Sequence, residues 1–395
     1  MKIIKVVIIT TLFIILTGCE THREISDLGM VSAMGIEKID NKYLISVQVA
    51  NIKKSTKMGT DNSSKVTLYK GTGKTSFEAI RDVSNKSSKK LYFPHIKLII
   101  LSDEIINENP KQIIDFFTRD NEGNMNAYIL VSTKNKPSEI LSTITSFEDV
   151  PAEYIYNSLL LSKDNYGNTN ILTFEDYVNY LIKAGIDPTF TKISLTNNKK
   201  IKNNTEILNE IELPTYIKLG NILVFNNDKK LTELNEEESM VLNLLKNNSS
   251  NSTISLKCDN NKYYTLELAN SSSKIDFNSK KDEISINLNL TYNISEYNCS
   301  GNLLDNQNLN NIKDNISNKI KYNVNSLIKK QIEYKSDFIG FGEIIKSKNK
   351  GYFDFNNKNW MKEGLPKLKY KINIEIKLED KGDLLNRIKK EGKYE

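Results

Sequence analysis

The apolar run at the start of the chain places the strongest constraint on where the rest of the chain can fold. Lys2 and Lys5 give it a short positive beginning, and "VVIITTLFIIL" then continues without a charge over residues 6–16. A helix that crosses a bilayer needs about 20 mostly apolar residues, whereas a positive region followed by a shorter apolar region is typical of a secretory signal peptide. No later segment is apolar for as long as a membrane span requires. We therefore expect the chain beyond this run to fold outside the cytoplasm.

The junction Leu16-Thr17-Gly18-Cys19 predicts how that signal is processed. A leucine and two small residues followed by a cysteine are typical of a bacterial lipoprotein signal, in which the thiol receives a diacylglyceryl group before cleavage. We expect residues 1–18 to be removed and Cys19 to begin the mature chain, S-diacylglycerylated and N-acylated, on the outer face of a membrane. Two or three acyl chains anchor a protein stably, because each buried CH₂ contributes about 0.8 kcal/mol. The alternatives are an uncleaved anchor or a simple secretory signal with an incidental cysteine.

The scarcity of histidine and cysteine restricts the chemistry of the chain, which has two His and three Cys. Cys258 and Cys299 each lie near the end of a strand-like run, in a compartment that permits disulfides, and the sequence leaves open whether they are bonded or free. No CxxC or HxxxH spacing occurs, so we expect neither a metal site nor a cofactor. His95 is the best-placed candidate for a catalytic base. The alternative is a hydrogen-bonded residue at the edge of a core.

Composition argues for folded domains and against a nucleic-acid partner. Hydrophobic residues make up 38% of the 395 residues, which is enough for each domain to bury a core, and this length predicts two or three domains. The 55 basic and 49 acidic residues are well mixed, and the net charge of +6 is small beside them. No basic stripe of the kind that binds nucleic acid stands out.

The first part of the chain alternates strand and helix signals. Period-two runs at 42–51 and 64–71 predict strands, and apolar residues at helical spacing predict a helix over 75–90. Buried-strand runs at 95–102 and 126–133 follow, with a short helical pattern between them at 109–120. This alternation predicts an α/β lobe with a mixed sheet.

The lobe is expected to end in a linker. Two helices are predicted within 147–185, the second closed by Gly185, and a strand follows them. The Asn- and Lys-rich segment 197–214 then reads as a linker. The N-terminal region would thus cover residues 19–196, with two sublobes that divide near residue 145.

The second half, residues 215–380, predicts a different architecture. A helix is expected to begin at Asn235, and apolar residues spaced by three to five positions predict a long helix over 307–334. Strands are predicted at 253–258, 262–269, 283–297 and 369–380. We expect an antiparallel sheet with the long helix packed on it, followed by a polar tail over 381–395. The whole chain then reads as an α+β, mixed α/β, three-domain lipoprotein.

Two motifs invite a functional interpretation. The stretch "GTGKTS" (71–76) ends like a phosphate-binding loop, but that motif requires a glycine where this chain has Leu68, so a turn with a capping Thr or Ser is expected. Phe341 and Trp360 are candidates for contact with a partner protein; core or domain-edge packing is the alternative. We expect no catalytic residues, and binding or assembly is favoured over catalysis.

Several segments together resemble the C-subunit family of spore germinant receptors, the GerAC-like or Ger(x)C lipoproteins of endospore-forming bacteria. The lipid-attachment site runs straight into "GCETHREISDLGMVSAMGIEKIDNKYLISVQVAN" (18–51). "LYFPHIKLIILSDEI" (91–105) and "IKKQIEYKSDFIGFGEIIK" (328–346) follow in the family's order, ahead of the Trp360 segment. Glu20 departs from the pattern, since family members often carry Trp after the anchor cysteine.

The resemblance implies a lipid-anchored subunit without enzymatic activity on the outer face of the spore inner membrane. It implies membrane partners, a multi-span A-type subunit and a transporter-like B-type subunit, which together recognise small nutrients. Cys19 is the functional residue that the resemblance carries over. The competing hypothesis, from the same anchor and α/β lobe, is an extracytoplasmic solute-binding lipoprotein of an importer.

Overall fold

The structure is a computed structural model of the whole chain. It describes residues 25–51, 64–108, 117–118, 124–197, 211–225, 231–248, 251–259, 261–300, 303, 305–356 and 359–379. Cys19 and His22, the linker core 198–210 and the tail 380–395 lie outside the described residues. So does most of the helix predicted over 109–120.

The described chain forms two sheets and a set of helices on them. The strands are β1 (Leu28–Ile39), β2 (Lys42–Ala50), β3 (Val66–Gly73), β4 (Lys90–Tyr92), β5 (Leu98–Ser102), β6 (Tyr128–Ser132), β7 (Phe190–Leu195), β8 (Ile217–Phe225), β9 (Leu231–Glu233), β10 (Thr253–Asp259), β11 (Lys262–Asn278), β12 (Glu283–Tyr297) and β13 (Lys369–Leu378). The α-helices are α1 (Ser76–Lys86), α2 (Asp103–Glu108), α3 (Pro137–Leu141), α4 (Pro151–Asn165), α5 (Phe174–Ile182), α6 (Glu236–Leu245), α7 (Asn306–Tyr334), α8 (Phe341–Lys348), α9 (Lys350–Asn356) and α10 (Leu365–Lys367). A short 3₁₀ turn (Ile25–Asp27) precedes β1, and a π-helical turn (Trp360–Gly364) precedes α10. This mixture confirms the predicted α+β fold class.

The first sheet has the mixed topology expected of the α/β lobe. Its strands follow the order β3-β2-β1-β5-β6-β7-β8-β9, with β4 also paired to β1. Strands β1, β5, β6 and β7 run parallel, whereas β2, β3, β8 and β9 are joined as antiparallel hairpins or ribbons at the two sides. The central strands are buried on both faces, which explains their continuous apolar runs.

Helices cover both faces of this sheet. One core lies beneath α1, α2 and α5 and contains Val83, Ile106 and Phe174. The other lies beneath α3 and α4 and contains Ile140 and Ile155. The expected α/β lobe is therefore a three-layer structure.

The second sheet differs from the expectation in the direction of its last strand. Strands β10, β11 and β12 are antiparallel, as predicted, but β13 pairs with β12 in parallel, from Glu283 opposite Lys369 to Tyr292 opposite Leu378. The reason is the connection: the long helix α7 crosses over between the two strands, and a helical crossover returns the chain in the same direction. The apolar stripe of α7, including Ile316, Ile320 and Val324, is buried against the sheet, as the sequence predicts.

The hydrogen-bonded first sheet continues past the segment predicted to be a linker. Strand β8 pairs with β7, with Phe190 opposite Leu223, although the sequence assigns residue 215 onward to the second half. Ile222 and Val224 of β8 nevertheless belong to the same core as α7. The domain limits stay a prediction, because β8 belongs to the first sheet by its hydrogen bonds and divides its side chains between the cores, with Leu223 and Ile217 in those of the first sheet. Among the described residues, no helix combines the length and apolar character needed to cross a membrane.

Candidate functional site

The segment between α7 and α8 brings a buried carboxylate, Asp337, to the junction of the two sheets. Helix α7 ends because Lys335 adopts a left-handed conformation (φ 52°), and Gly340 (φ 90°) turns the chain into α8. Glycine has no Cβ and adopts a positive φ with less steric strain than other residues, so Gly340 suits this turn. Asp337 lies between the two turns and is 1% exposed.

Four N–H groups converge on the Asp337 carboxylate. Its Oδ1 accepts hydrogen bonds from the backbone of Gly340 (2.9 Å) and Phe341 (2.8 Å). Its Oδ2 accepts from the backbone of Gly342 (2.7 Å) and from Nε1 of Trp360 (2.8 Å). The carboxylate therefore satisfies the free N–H groups at the start of α8 and fixes the indole ring in place.

Burial raises the pKa of Asp337 to about 6, although the hydrogen bonds from Gly342, Trp360 and Phe341 oppose that shift. The nearby carboxylate of Asp187 adds to the increase. Burial raises the pKa of Asp187 as well. The two carboxyl groups therefore lie close together in one buried, poorly solvated region.

Asp187 belongs to the first half of the chain and ties it to the second. Its Oδ2 accepts a hydrogen bond from the backbone N–H of Asp337 (2.7 Å), and its own N–H donates to the carbonyl oxygen of Asp337 (3.0 Å). Close by, the N–H of Glu343 donates to the carbonyl oxygen of Gly185 (2.9 Å). The junction is therefore held mainly by backbone groups, whose positions vary less than those of long side chains.

Gly185 and Gly342 allow this close approach. A Cβ atom on Gly342 would lie 2.5 Å from the Cα of Gly185, and Gly185 itself has a φ of +92°. Helix α5 ends at Ile182, so the role of Gly185 is backbone contact rather than the C-cap predicted from the sequence.

A cavity of about 400 Å³ opens beside the junction, between Tyr180 and Trp360, with Asp187 and Asp337 in its wall. Lys246, at the end of α6, faces the same carboxylates: burial lowers its pKa to about 8, against the opposing effect of Asp337, Asp187 and Glu343. Both Asp337 oxygens are already hydrogen-bonded to Gly340, Phe341, Gly342 and Trp360, so this carboxylate fixes the start of α8 and the indole ring.

Phe341 and Trp360 lie at this junction but are not exposed. Phe341 is 0% and Trp360 4% exposed, and both belong to the core of the second sheet. The interpretation of these side chains as a partner-contact surface does not fit this burial, because a contact surface needs accessible atoms. The alternative weighed from the sequence, core packing at a domain edge, describes their position.

The other predicted site residues lie apart from the junction. Cys258 and Cys299 are joined by a disulfide bond with their Cα atoms 5.9 Å apart, which links β10 to the segment after β12. Cys258 is exposed and Cys299 is buried. Cys19 lies outside the described residues, so its acylation stays a prediction.

His95 is exposed rather than at the edge of a core, and its ring lies 5.5 Å from that of Tyr92. In the "GTGKTS" stretch, Thr75 caps α1 by accepting a hydrogen bond from Glu78 N–H, as expected of a turn. A Cβ on Gly71 would lie 2.3 Å from the carbonyl oxygen of Ala79, so this glycine serves strand–helix packing. Within the described ranges, no group of three or more His, Cys, Asp or Glu residues could hold a metal ion.

Sequence reasoning missed Asp187 and Asp337. Asp337 lies three residues before Gly340, the N-cap of α8, and not at the N-cap position where an Asp signals a helix start, so the sequence gives no local sign of its role. Nothing local links it to Asp187, because the two positions are 150 residues apart.

Comparisons with known proteins identify the family. Residues 21–195 match the family described as "Spore germination protein N-terminal domain", and residues 220–382 match "Spore germination B3/ GerAC like, C-terminal". Spore germination protein KC of Bacillus subtilis (strain 168) is 23% identical over 402 residues, covering 99% of this chain and 99% of that protein. Spore germination protein GerQC of Bacillus cereus is 23% identical over 380 residues, covering 94% and 97%.

A solved structure shows the same fold. The crystal structure of the GerBC protein superposes with a TM-score of 0.53 at 15% identity, covering 87% of this chain and 96% of that one. The family consists of germinant receptor subunits and is not a known enzyme family. With both domains matched in order, this chain belongs to the GerAC-like family of spore germination proteins, the C-subunit family of germinant receptors.

Proposed function

We propose that this chain is the lipid-anchored C subunit of a spore germinant receptor and is required for nutrient-triggered germination. In this proposal Cys19 carries the acyl groups, and the folded part lies on the outer face of the spore inner membrane. It works by assembling with A- and B-type membrane subunits rather than by catalysis. The predicted limits, an N-terminal region over 19–196 and a C-terminal domain over 215–380, belong to the same proposal.

One observation supports it above the others: both family domains follow, in order and within one chain, a sequence typical of a lipoprotein signal. The junction supports a binding subunit, because backbone hydrogen bonds of Asp337 to Asp187 and of Glu343 to Gly185 hold the two halves of the chain together. A subunit that presents fixed surfaces to membrane partners needs its two halves to be held in one arrangement.

The test is a deletion of the gene in a strain without paralogues. We expect spores that form normally but fail to germinate with at least one nutrient, and restoration by the wild-type gene. A Cys19→Ala gene should restore little germination, because the variant would be neither cleaved nor acylated and the mature lipid-anchored subunit would not form. Normal germination of the deletion strain with every nutrient tested would refute the proposal.

Acylation has its own measurement. Mass spectrometry of the mature protein should show an N-terminal peptide that begins with diacylated or triacylated Cys19. In the Cys19→Ala variant, the signal should remain uncut. An unmodified Cys19 in a membrane-bound wild-type protein would refute the anchor.

A further inference from the structure

Strand β13 forms one edge of the second sheet. The strand order there is β10-β11-β12-β13, and none of the described strands pairs with β13 on its outer side. Its ten residues pair with β12 without a shift in register, and they include neither Pro nor Gly. At the other end of the sheet, the pairing of β10 shifts between Lys257 and Asp259. A long edge without such interruptions is a template for one more strand.

The backbone groups that face the open side of β13 follow from its bonds to β12. The N–H of Lys369 donates to the carbonyl oxygen of Asp282 (2.8 Å), and the N–H of Glu379 donates to that of Tyr292 (3.1 Å). Successive residues of a strand turn their N–H and C=O groups to opposite sides, so the odd-numbered residues bond to β12. The residues whose backbone groups face outward are Tyr370, Ile372, Ile374, Ile376 and Leu378.

The same five residues form the apolar side of β13, and their side chains are only partly buried. The β12 residues opposite them are 0–1% exposed; these are Ile284, Ile286, Leu288, Leu290 and Tyr292. The two rows differ because β12 has a neighbouring strand on each side. An added strand with apolar side chains on this face would complete the burial of the β13 row, which is favourable in water.

The position of α7 limits what can occupy the edge. This helix packs over β13 rather than over β12. Antiparallel pairing with β13 of a second copy would bring two such helices to one face, over strands about 4.8 Å apart. Packed helices need about 8–10 Å between their axes, so a second copy does not fit. An extended segment that brings no helix to this face does fit.

Two charged side chains on the outer face of β13 indicate which charges such a segment carries. Lys371 and Glu375 are exposed, and within the described part of the chain neither has a hydrogen bond or an ion pair. They are four residues apart, about 13 Å along a strand, which is too far for them to pair with each other. Lys377, in contrast, is paired with Glu379.

The tail after β13 lacks the pattern of an added strand. It lies outside the described residues, and its apolar run "LLNRIKK" (384–390) spaces the apolar residues by one and three positions. A strand with one apolar face requires a spacing of two. The sequence therefore favours an occupant from another protein over residues 381–395.

We propose that the outer edge of β13 binds an extended segment of a partner protein by antiparallel β-strand addition. The segment places apolar side chains on the α7 side, with a carboxylate opposite Lys371 and a cation opposite Glu375 on the outer face. Backbone hydrogen bonds to the outward-facing residues supply the affinity, and the two charge pairs set register and direction. The inference depends neither on the lipid anchor nor on a role in germination.

The test uses a fluorescent synthetic peptide, KYKINIEIKL, which repeats residues 369–378 and brings no helix. Laid antiparallel with its Asn opposite Asn373, it places its Glu opposite Lys371 and its second Lys opposite Glu375. Fluorescence anisotropy with the full chain, purified from membranes in detergent, should show saturable binding. The control peptide KYEINIKIKL has the same composition but opposes like charges. It should bind about ten-fold more weakly, since each pair changes the affinity about three-fold.

Exchanging the two charges in the chain should reverse this preference. The variant Lys371→Glu/Glu375→Lys should bind KYEINIKIKL about ten-fold more tightly than KYKINIEIKL. Its unfolding midpoint should stay that of the wild-type chain, because both side chains are exposed. Equal binding of the two peptides by the wild-type chain, or the same preference in both chains, would overturn the proposal.

N-methylated peptides test the backbone ladder. Methyl groups on the peptide nitrogens that correspond to Ile372 and Ile374 remove N–H groups that face the chain, so binding should be lost. Methyl groups at the positions of Lys371 and Asn373 face away and should leave the affinity within about two-fold of the parent peptide. Equal affinities of the two methylated peptides would contradict strand addition.

Cross-linking locates the peptide and tests other occupants. An Asn373→Cys chain should form a disulfide with KYKICIEIKL, because the two residues are opposite each other, whereas Asn289→Cys on β12 should not. A disulfide-linked dimer of Asn373→Cys chains without peptide would assign the edge to a second copy. Peptide binding only after removal of residues 381–395 would assign it to the tail. Either result overturns the proposal.

Discussion

The backbone N–H of Glu343 donates a hydrogen bond to the carbonyl oxygen of Gly185 at 2.9 Å, so residues from the two halves of the chain meet main chain to main chain. This approach is possible because Gly342, the neighbour of Glu343, has no side chain. A Cβ on Gly342 would meet the Cα of Gly185 at 2.5 Å and Cε2 of Phe353 at 2.8 Å.

Gly342→Ala should therefore destabilise the protein by about 1–3 kcal/mol, the usual cost of overpacking a filled core. Denaturant unfolding of the purified protein measures this loss. Gly351→Ala is the matched control, because its Cβ would contact nothing closer than Asn349 Oδ1 at 3.8 Å. Equal effects of the two substitutions would show that the contact at residue 185 is unimportant.

Asp337 should make stability fall as the pH rises toward neutrality. Its pKa is raised from an ordinary 3.8 to about 6, so between these values the folded state keeps a proton that the unfolded state has lost. The resulting contribution is present below pH 3.8 and disappears as the pH passes about 6, with a size of about 3 kcal/mol at most.

The measurement compares unfolding free energies of the wild-type protein and Asp337→Asn across this pH range. The difference between the two curves should change with pH mainly below about 6 and level off above it. Carboxylates distant from this site titrate alike in both proteins, so the difference reports Asp337 together with its coupling to the neighbouring Asp187. A difference that does not depend on pH would contradict the raised pKa.

Glu238 should contribute more to stability than its neighbour Glu237. Its side chain is 3% exposed, and it accepts hydrogen bonds from Lys330 (2.6 Å) and Ser326 (2.8 Å) on α7. Burial opposes ionisation, yet these bonds, with one from the Asn235 N–H, hold the pKa of Glu238 below its ordinary value. Glu238→Gln leaves Lys330 without its partner, and we expect a loss of about 3 kcal/mol.

The control for that variant is Glu237→Gln. Glu237 pairs with Lys319 at 2.8 Å, but their side chains are 44% and 34% exposed, so its loss should cost less than about 1 kcal/mol. The contribution of Glu238 is complete above its ordinary pKa of 4.5 and is lost as the pH falls through its lower folded value. The two variants should therefore converge in acid; a constant gap between them would be inconsistent with the lowered pKa.

The disulfide between Cys258 and Cys299 should stabilise the oxidised protein. It closes a loop of 41 residues, for which the loss of chain entropy in the unfolded state corresponds to about 4 kcal/mol. Reductant should therefore lower the denaturant midpoint of the wild-type protein. The Cys258→Ser/Cys299→Ser variant should unfold at the lower midpoint, and reductant should not change that midpoint. If reductant leaves the midpoint of the wild-type protein unchanged as well, Cys258 and Cys299 are free thiols.

Most helices and strands could be predicted because their signals are local. The buried stripe of α7 follows from Ile316, Ile320 and Val324 at helical spacing, and α6 begins where Asn235 caps it. The predicted direction of β13 was wrong because strand direction depends on the path of the connection. An alternating pattern of apolar and polar residues is the same in either direction.

The candidate site was harder to predict. Phe341 and Trp360 stand out in the sequence as aromatic residues, but the sequence gives no measure of their exposure. Asp337 accepts hydrogen bonds from both residues but lies outside the N-cap position of α8, and its link to Asp187 arises only when two distant segments pack together. Such contacts depend on tertiary geometry, which periodicity does not encode.

The first sheet also has a mechanical consequence. Strands β1, β5, β6, β7 and β8 are successive neighbours, so four strand spacings of about 4.8 Å, roughly 19 Å in all, separate β1 from β8, the strand that contributes Ile222 and Val224 to the second core. Backbone hydrogen bonds join every pair along this path. This continuous hydrogen bonding makes the sheet resist bending. A displacement of the second half should therefore reach β1 as a rotation of the whole sheet rather than as a local bend.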